Sequence, residues 1–210
     1  MSKIYIGISG YARSGKDLCG QIIIKQLQNR GLKPLRFALA DELKIDLEEF
    51  LNIKCNTSPF TEDAEEKSKL RPLLVWYGCY QRGKQPDYWI CKVENSIKLN
   101  TTCNVIICTD IRFPNEAHWI HSKGGWLIHL EKYTKTSSDG GRTWVRKYQN
   151  VPNLEEEKND PIVKGLSDFC INWEDLSNGG VNNVIGNDIV NNLYLNEEVM
   201  KSLEPYINYE

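Results

Sequence analysis

The sequence predicts an α/β protein: a mostly parallel sheet of about five strands, helices on both faces, and a lid. Three observations lead there. Short β-branched apolar runs alternate with longer segments of helical period over the first 131 residues. That order lays strands side by side with helical crossovers between them. The first strand runs into a glycine-bracketed loop that opens directly into a helix. Further on, residues 132–160 are polar and lose periodicity, and a loop of that length in a compact domain is usually functional or disordered.

Each element has its own signal. Residues 3–9 (KIYIGIS) form a short buried strand ending at glycine. Residues 10–15 make a tight loop. From Lys16 to about Arg30 the period is helical, with Leu18, Ile22, Ile23 and Leu27 marking the inner face and Gly31 as the stop. A second strand is expected over 34–39 and a second helix over 41–51, with Leu43, Leu47 and Phe50 or Leu51 inward. A polar loop covers 52–61. Helices follow over 62–80 and 87–99, split by Gly83 and Pro86. Residues 103–109 (CNVIICT) are the most strand-like run and end at Asp110. Pro114 suits a first helical turn, the helix continues over 115–123, and Gly124-Gly125 stop it. Residues 126–131 give another strand. A last strand is expected at 169–171 or at 183–185, and a helix from about Glu197.

The chain of 210 residues fits one domain, with a helical part at 40–100 and a lid loop at 132–160. Apolar residues make up 40% and charged residues 26%, which is ordinary globular usage. A formal net charge of −2 argues against a binder of nucleic acid polymers, which needs a basic footprint, but leaves room for one local basic pocket. No apolar run approaches the roughly 18–20 residues of a membrane span, and the first eight residues do not form a signal peptide. Seven cysteines, odd in number and without a C-x-x-C pair, read as reduced and mostly buried thiols of a cytoplasmic protein. His118 and His121, three apart on one helix, read as solvated positions rather than metal ligands.

The chemistry starts at Gly10-Tyr-Ala-Arg-Ser-Gly-Lys-Asp17, which matches G-x-x-x-x-G-K. Gly10, Arg13, Ser14 and Gly15 would wrap phosphate with backbone N–H groups, and the helix start adds its positive end. Lys16 would reach the outer phosphates. Asp17 stands where a Ser or Thr hydroxyl usually touches Mg²⁺, and a carboxylate can hold that ion too. Asp110 and Arg112 follow the apolar strand. The carboxylate can orient a metal-bound water, and the planar guanidinium can grip a phosphate.

The blocks Ser9–Asp17, Phe37-Ala-Leu-Ala-Asp-Glu-Leu-Lys44, Arg71-Pro-Leu-Leu-Val-Trp-Tyr-Gly78, Pro86-Asp-Tyr-Trp89, Cys108-Thr-Asp-Ile-Arg-Phe-Pro-Asn-Glu-Ala117 and Gly124-Gly-Trp-Leu-Ile-His-Leu130 run in one order over residues 4–131. Together they resemble the deoxynucleoside monophosphate kinases of large tailed bacteriophages. The resemblance implies a P-loop, nucleoside monophosphate kinase-like fold that moves the γ-phosphate of ATP onto a deoxynucleoside monophosphate in the host cytoplasm. It implies ATP and Mg²⁺ at Gly10–Asp17, with Asp17 and Asp110 at the metal. It places Arg112 at the acceptor phosphate, Lys44, Arg71 and Arg82 along the monophosphate pocket, and Trp89 with Tyr88 as base-stacking walls. Phage relatives also suggest a homodimer. Two departures stand: Val75 where the family often carries Gln, and Glu155–Glu157 where a Ser/His-Glu block is expected.

Between residues 132 and 147, Lys132, Lys135, Arg142, Arg146 and Lys147 face a single acid, Asp139. A basic loop that closes would neutralise phosphate oxygens and exclude water, which makes Arg142 and Arg146 catalytic candidates. Two other functions fit parts of this pattern. One is a kinase resembling dephospho-coenzyme A kinase, whose hydroxyl acceptor would need Asp41 or Asp110 as base. The other is a nucleotide-binding regulator without a second phosphate pocket.

Overall fold

The computed structural model describes residues 3–137, 144–148 and 154–174. In chain order these form β1 (Ile4–Gly10), α1 (Lys16–Gln28), β2 (Pro34–Phe37), α2 (Leu39–Cys55), α3 (Ala64–Lys84), α4 (Tyr88–Leu99), β3 (Val105–Ile111), α5 (Pro114–Ser122), β4 (Trp126–Ser137), β5 (Trp144–Tyr148), α6 (Leu154–Gly165) and β6 (Phe169–Glu174). They fall into two compact units. Residues 37–101, with α2 to α4, make a helical unit; the other elements make a sheet unit.

In the sheet unit the strand order is β2-β3-β1-β4, and both β5 and β6 pair with β4. β1 runs parallel to β3, with Ile4 opposite Val105, and parallel to β4, with Ile6 opposite Trp126. β6 is parallel to β4, with Ile128 opposite Phe169. β5 is antiparallel to the far end of β4, with Tyr133 opposite Tyr148. β1 therefore sits between two partners, and all its residues but Tyr5 are buried. Strands covered on both faces read as continuous apolar runs, as IYIGISG and VIICTDI do. One face carries Ile6, Ile8, Ile107, Ile128, Leu130 and α1's Ile23. On the other, Gly7 leaves room for Ile120 of α5; a Cβ there would lie 3.0 Å from its Cγ1.

Several boundaries differ from expectation, each for a physical reason. α1 buries Lys16, Cys19, Gly20, Ile23 and Leu27, so Leu18 lies outward. β2 stops at Phe37 and α2 begins at Leu39 and runs on to Cys55. Its stop is Asn56 at φ 48, a left-handed cap that asparagine tolerates well, with its N–H on Leu51 O. Leu51, not Phe50, is the buried residue of that pair. α3 starts at Ala64 because Asp63 caps it, accepting from Glu66 N at 2.8 Å, and it continues through Gly83. β3 takes in Asp110 and Ile111. The segment 132–160 is not structureless: β4 extends to Ser137, pairs with β5, and α6 starts at Leu154. A mostly polar antiparallel ribbon is held by backbone bonds and needs no apolar period. The last strand among the described residues is β6 at 169–174. Arg142, the alternative strand at 183–185 and the helix from Glu197 lie outside the described residues.

All seven cysteines are free, but only Cys19, Cys103 and Cys108 are buried; Cys55, Cys79, Cys91 and Cys170 are exposed. No helix among the described residues is long and apolar enough to cross a membrane.

Candidate functional site

The site is built where β1 hands over to α1. Gly10 takes φ 136, Arg13 φ 64 and Gly15 φ 90, so the loop turns three times through left-handed backbone. Glycine is required at position 10 for space as well. A Cβ there would lie 2.3 Å from Leu130 O. Ser14 N closes the turn on Tyr11 O at 3.1 Å. Gly15 is the N-cap of α1 and offers no side-chain acceptor, so the helix's first N–H groups face the loop without a cap. A loop of this shape gathers N–H donors on its concave side and suits an anion.

Lys16 is buried at 8% exposure, and its Nζ donates to Gly10 O and Tyr11 O, each at 2.8 Å. An ammonium has three hydrogens, so one remains for a ligand. Burial, and then the nearby Arg112 guanidinium, push its pKa down to about 8, against the pull of Asp160, Asp110 and Asp17. These groups therefore lie within electrostatic reach of one ammonium.

β3 and the turn after it bring two of them, Asp110 and Arg112. Cys108 faces Gly7, but Ile111 faces Ser9, so β3 carries one extra residue over this stretch. Such a bulge re-aims side chains from strict alternation. Consecutive residues can then both address the start of α1. Thr109 Oγ1 donates to Asp17 Oδ1 at 3.4 Å, and Asp110 acts on Lys16. Asp17, with its side chain 73% exposed, is also held by Arg36 Nη2 at 3.1 Å. The turn after β3 is pinned by Glu116, a buried carboxylate that accepts from Arg112 N at 2.8 Å and Phe113 N at 3.0 Å. The glutamate of the DIRFPNE block thus fixes the backbone from which Arg112 projects.

β4 and α6 close the other flank. His129 is fully buried; its Nδ1 lies 3.0 Å from Ser9 Oγ, and Tyr11 meets its ring edge-on at 6.0 Å. Burial pushes its pKa down to about 4, so the ring is neutral. Lys164 of α6 donates to Glu131 of β4 at 2.6 Å. Asp160 of α6 is 1% exposed, and burial raises its pKa while Arg112 and Lys16 lower it. Sequence reasoning missed Thr109, Arg36, His129 and Asp160. Only His129 left a signal, as a polar residue inside the apolar run WLIHL.

The donor set fits a nucleotide triphosphate with Mg²⁺. The loop supplies anion-binding backbone, and Lys16 keeps a free donor. Among the described residues no group of three or more His, Cys, Asp or Glu could hold a metal ion. Mg²⁺ needs only one or two carboxylates beside phosphate oxygens, and Asp17 and Asp110 are hard oxygen donors of that kind. His121, expected to be solvated, pairs with Asp168 at 3.1 Å, and Asp168 also accepts from Leu127 N.

The helical unit carries the remaining candidates. Lys44 Nζ lies 3.6 Å from Asp41 Oδ1 and 5.1 Å from the centre of the Phe60 ring. Arg71 is exposed on α3. Arg82 is half-buried beside Gly78, where a Cβ would lie 3.4 Å from its Nη1. Trp89 is corrected. It is 1% exposed, its Nε1 donates to Gly78 O at 3.2 Å, and Tyr77 and Tyr88 meet it edge-on. That is a core residue with no face left for a base. Tyr88 hydrogen-bonds Asp46, which also binds Lys92 at 2.6 Å and Tyr77. Arg146 lies on β5 with its backbone opposite Lys135 of β4.

The family model described as phosphomevalonate kinase matches residues 8–125, more than half of the chain. No curated protein matches. Among solved structures, the shikimate kinase of Aquifex aeolicus vf5 is 13% identical with a TM-score of 0.40, covering 92% of this chain and 98% of its own. The gluconokinase of Sinorhizobium meliloti 1021 is 11% identical with a TM-score of 0.41, covering 96% and 98%. The APS kinase CysC of Mycobacterium tuberculosis is 10% identical with a TM-score of 0.32, covering 78% and 96%.

Proposed function

The chain belongs to the phosphomevalonate kinase family, and from that premise we propose that it transfers the γ-phosphoryl group of ATP to the phosphate of a deoxynucleoside monophosphate, giving ADP and a deoxynucleoside diphosphate. One observation carries the reading. Lys16, buried and held by its own loop, has a second cation, Arg112, close enough to depress its pKa. A buried ammonium and a half-buried guanidinium brought together in this way call for phosphate oxygens between them.

In this reading the loop from Gly10 to Gly15 and Lys16 hold the ATP phosphates. Arg112 holds the acceptor phosphate; Lys44, Arg71 and Arg82 of the helical unit are assigned to the acceptor on the resemblance alone. Mg²⁺, taken by Asp17 and Asp110, would supply charge neutralisation on the phosphate oxygens. The acceptor oxygen is already anionic near neutral pH, so no side chain has to remove a proton. Positioning and charge neutralisation are then the main catalytic terms. Arg142 and Arg146 are assigned to closing over the transferring group.

A second reading has its own support. The family model's description names phosphomevalonate, another phosphomonoester. The chemistry is the same; only the recognition of the acceptor's body differs. The test is to incubate the purified protein with ATP and Mg²⁺, adding each natural dNMP and NMP, phosphomevalonate or dephospho-coenzyme A, and to follow ADP. ADP with a subset of dNMPs supports the first reading. ADP with phosphomevalonate alone replaces it by the second, and ADP with dephospho-coenzyme A alone would overturn both.

A further inference from the structure

Near the P-loop, Asp160 is a buried charge that the reaction just described does not use. α6 packs on β1 and α5, and Lys164 ties it to Glu131 of β4 at 2.6 Å. Asp160 is thereby held inside at 1% exposure. Its neighbour Asn159 is occupied within the helix, donating to Glu155 O at 2.8 Å. A buried carboxylate with a purely structural task has its oxygens satisfied. Asp160 Oδ2 has no hydrogen-bond partner. What surrounds it is charge: Lys16 from α1 and Arg112 from the turn after β3 both act on it, and the Tyr11 hydroxyl feels it from the loop.

We infer that Asp160 is a positioning residue for phosphoryl transfer, the internal counter-anion that holds Lys16 and Arg112 in line for phosphate oxygens. The inference rests on the kinase reading above. A site selected only to bind ATP tightly would not keep a carboxylate beside the two cations that meet its phosphates. Such an anion weakens the ground-state complex, yet it draws both cations into one arrangement before the nucleotide arrives. Interactions that restrain ground-state binding while fixing geometry favour turnover over affinity. Asp160 touches no reacting atom in this scheme and acts through Lys16 and Arg112.

The test compares full-length wild type with Asp160→Asn and Asp160→Ala. The readouts are thermal melting, equilibrium binding of a non-hydrolysable ATP analogue with Mg²⁺, and kcat and KM for ATP with the acceptor the wild type uses. Removing one negative charge near the triphosphate should tighten analogue binding by about three- to tenfold. The kcat of Asp160→Asn should fall about tenfold or more, with melting close to wild type. A merely structural role would weaken binding and turnover together, in step with lost melting temperature. That result, or an Asp160→Asn enzyme indistinguishable from wild type, overturns the inference. A wild type that binds no nucleotide overturns the kinase reading instead, so the two failures are separable.

Discussion

Lowering the pH from 7.5 to 5.0 should cost the folded protein about 2 kcal/mol through one side chain, His129. Its ring is fully buried on β4, and burial pushes its pKa from the ordinary 6.5 to about 4. In the unfolded chain the same ring binds a proton near pH 6.5. Above that pH neither state is protonated and the contribution to stability is complete. Between 6.5 and 4 the unfolded state takes up a proton that the folded state refuses, so stability falls as pH falls. Below about 4 both states bind it and the loss stops growing, at about 3 kcal/mol for this shift. The assay is urea unfolding of wild type and His129→Asn at both pH values. Asparagine keeps an amide to face Ser9 Oγ, which lies 3.0 Å from Nδ1, but does not titrate. The variant should be less stable at pH 7.5, because it loses ring packing. Its further loss on going to pH 5.0 should be smaller than wild type's by about 2 kcal/mol. Asp160 and every other titrating group contribute to both proteins and cancel in that difference. Equal pH-dependent losses in the two would refute the reasoning and place the proton elsewhere.

Four other outcomes follow from the geometry. Gly10→Ala puts a methyl 2.3 Å from Leu130 O at φ 136, and should cost about 2–4 kcal/mol in thermal or urea unfolding and abolish ADP binding. Lys16→Met removes a buried ammonium from beside Arg112 and leaves Gly10 O and Tyr11 O without its N–H donors; calorimetry should show ATP affinity falling at least about a hundredfold, with a stability loss of about 1–3 kcal/mol that leaves the protein folded. Glu116→Gln keeps an amide oxygen where Oε2 takes both the Arg112 and Phe113 N–H groups but loses the charge that strengthens those two bonds; it should cost about 1–2 kcal/mol and raise the acceptor KM more than the ATP KM in steady-state kinetics. Asp17→Ser should flatten the Mg²⁺ dependence of nucleotide affinity, and a titration unchanged from wild type would take Asp17 out of metal binding.

The P-loop could be read from sequence because its chemistry is local. Glycine spacing and the lysine are dictated by backbone turns that the same eight residues make, at positive φ for Gly10, Arg13 and Gly15. From sequence Asp110 reads as just past its strand rather than inside it, since a bulge on β3 depends on how β1 pairs and leaves no mark on β3's own sequence. Trp89 shows the limit for aromatics. A tryptophan at the start of a helix reads alike as a platform or as core, and only its bond to Gly78 O and its two ring partners decide. The ribbon of β4 and β5 escaped because its pairing is carried by backbone, not by an apolar rhythm. His129 could have been found: a strand buried on both faces turns an inserted histidine into a neutral core ring. Asp160 could not. In LEEEKND it looks like one more solvated acid on a charged helix, and burial of a single charge is a property of the packing around it.

The charges at the loop also bear on the metal in the proposed reaction. Lys16, Arg112 and Arg36 are matched in number by Asp17, Asp110 and Asp160, with Asp17 and Arg36 already paired at 3.1 Å. The free site is therefore close to neutral despite its buried lysine and half-buried arginines. A bare triphosphate would enter with several negative charges and find the local cations already answered by carboxylates. Beside the buried Lys16 and Asp160 that imbalance opposes binding. A nucleotide that brings its own divalent counter-ion restores the balance, and it gives the two more accessible carboxylates, Asp17 and Asp110, a partner in place of an opponent. Asp160, buried deeper, stays with the protein's own cations. Under the proposed function three aspartates that look alike in sequence would divide their work by depth: the outer pair would face the metal, and the inner one the lysine and the arginine.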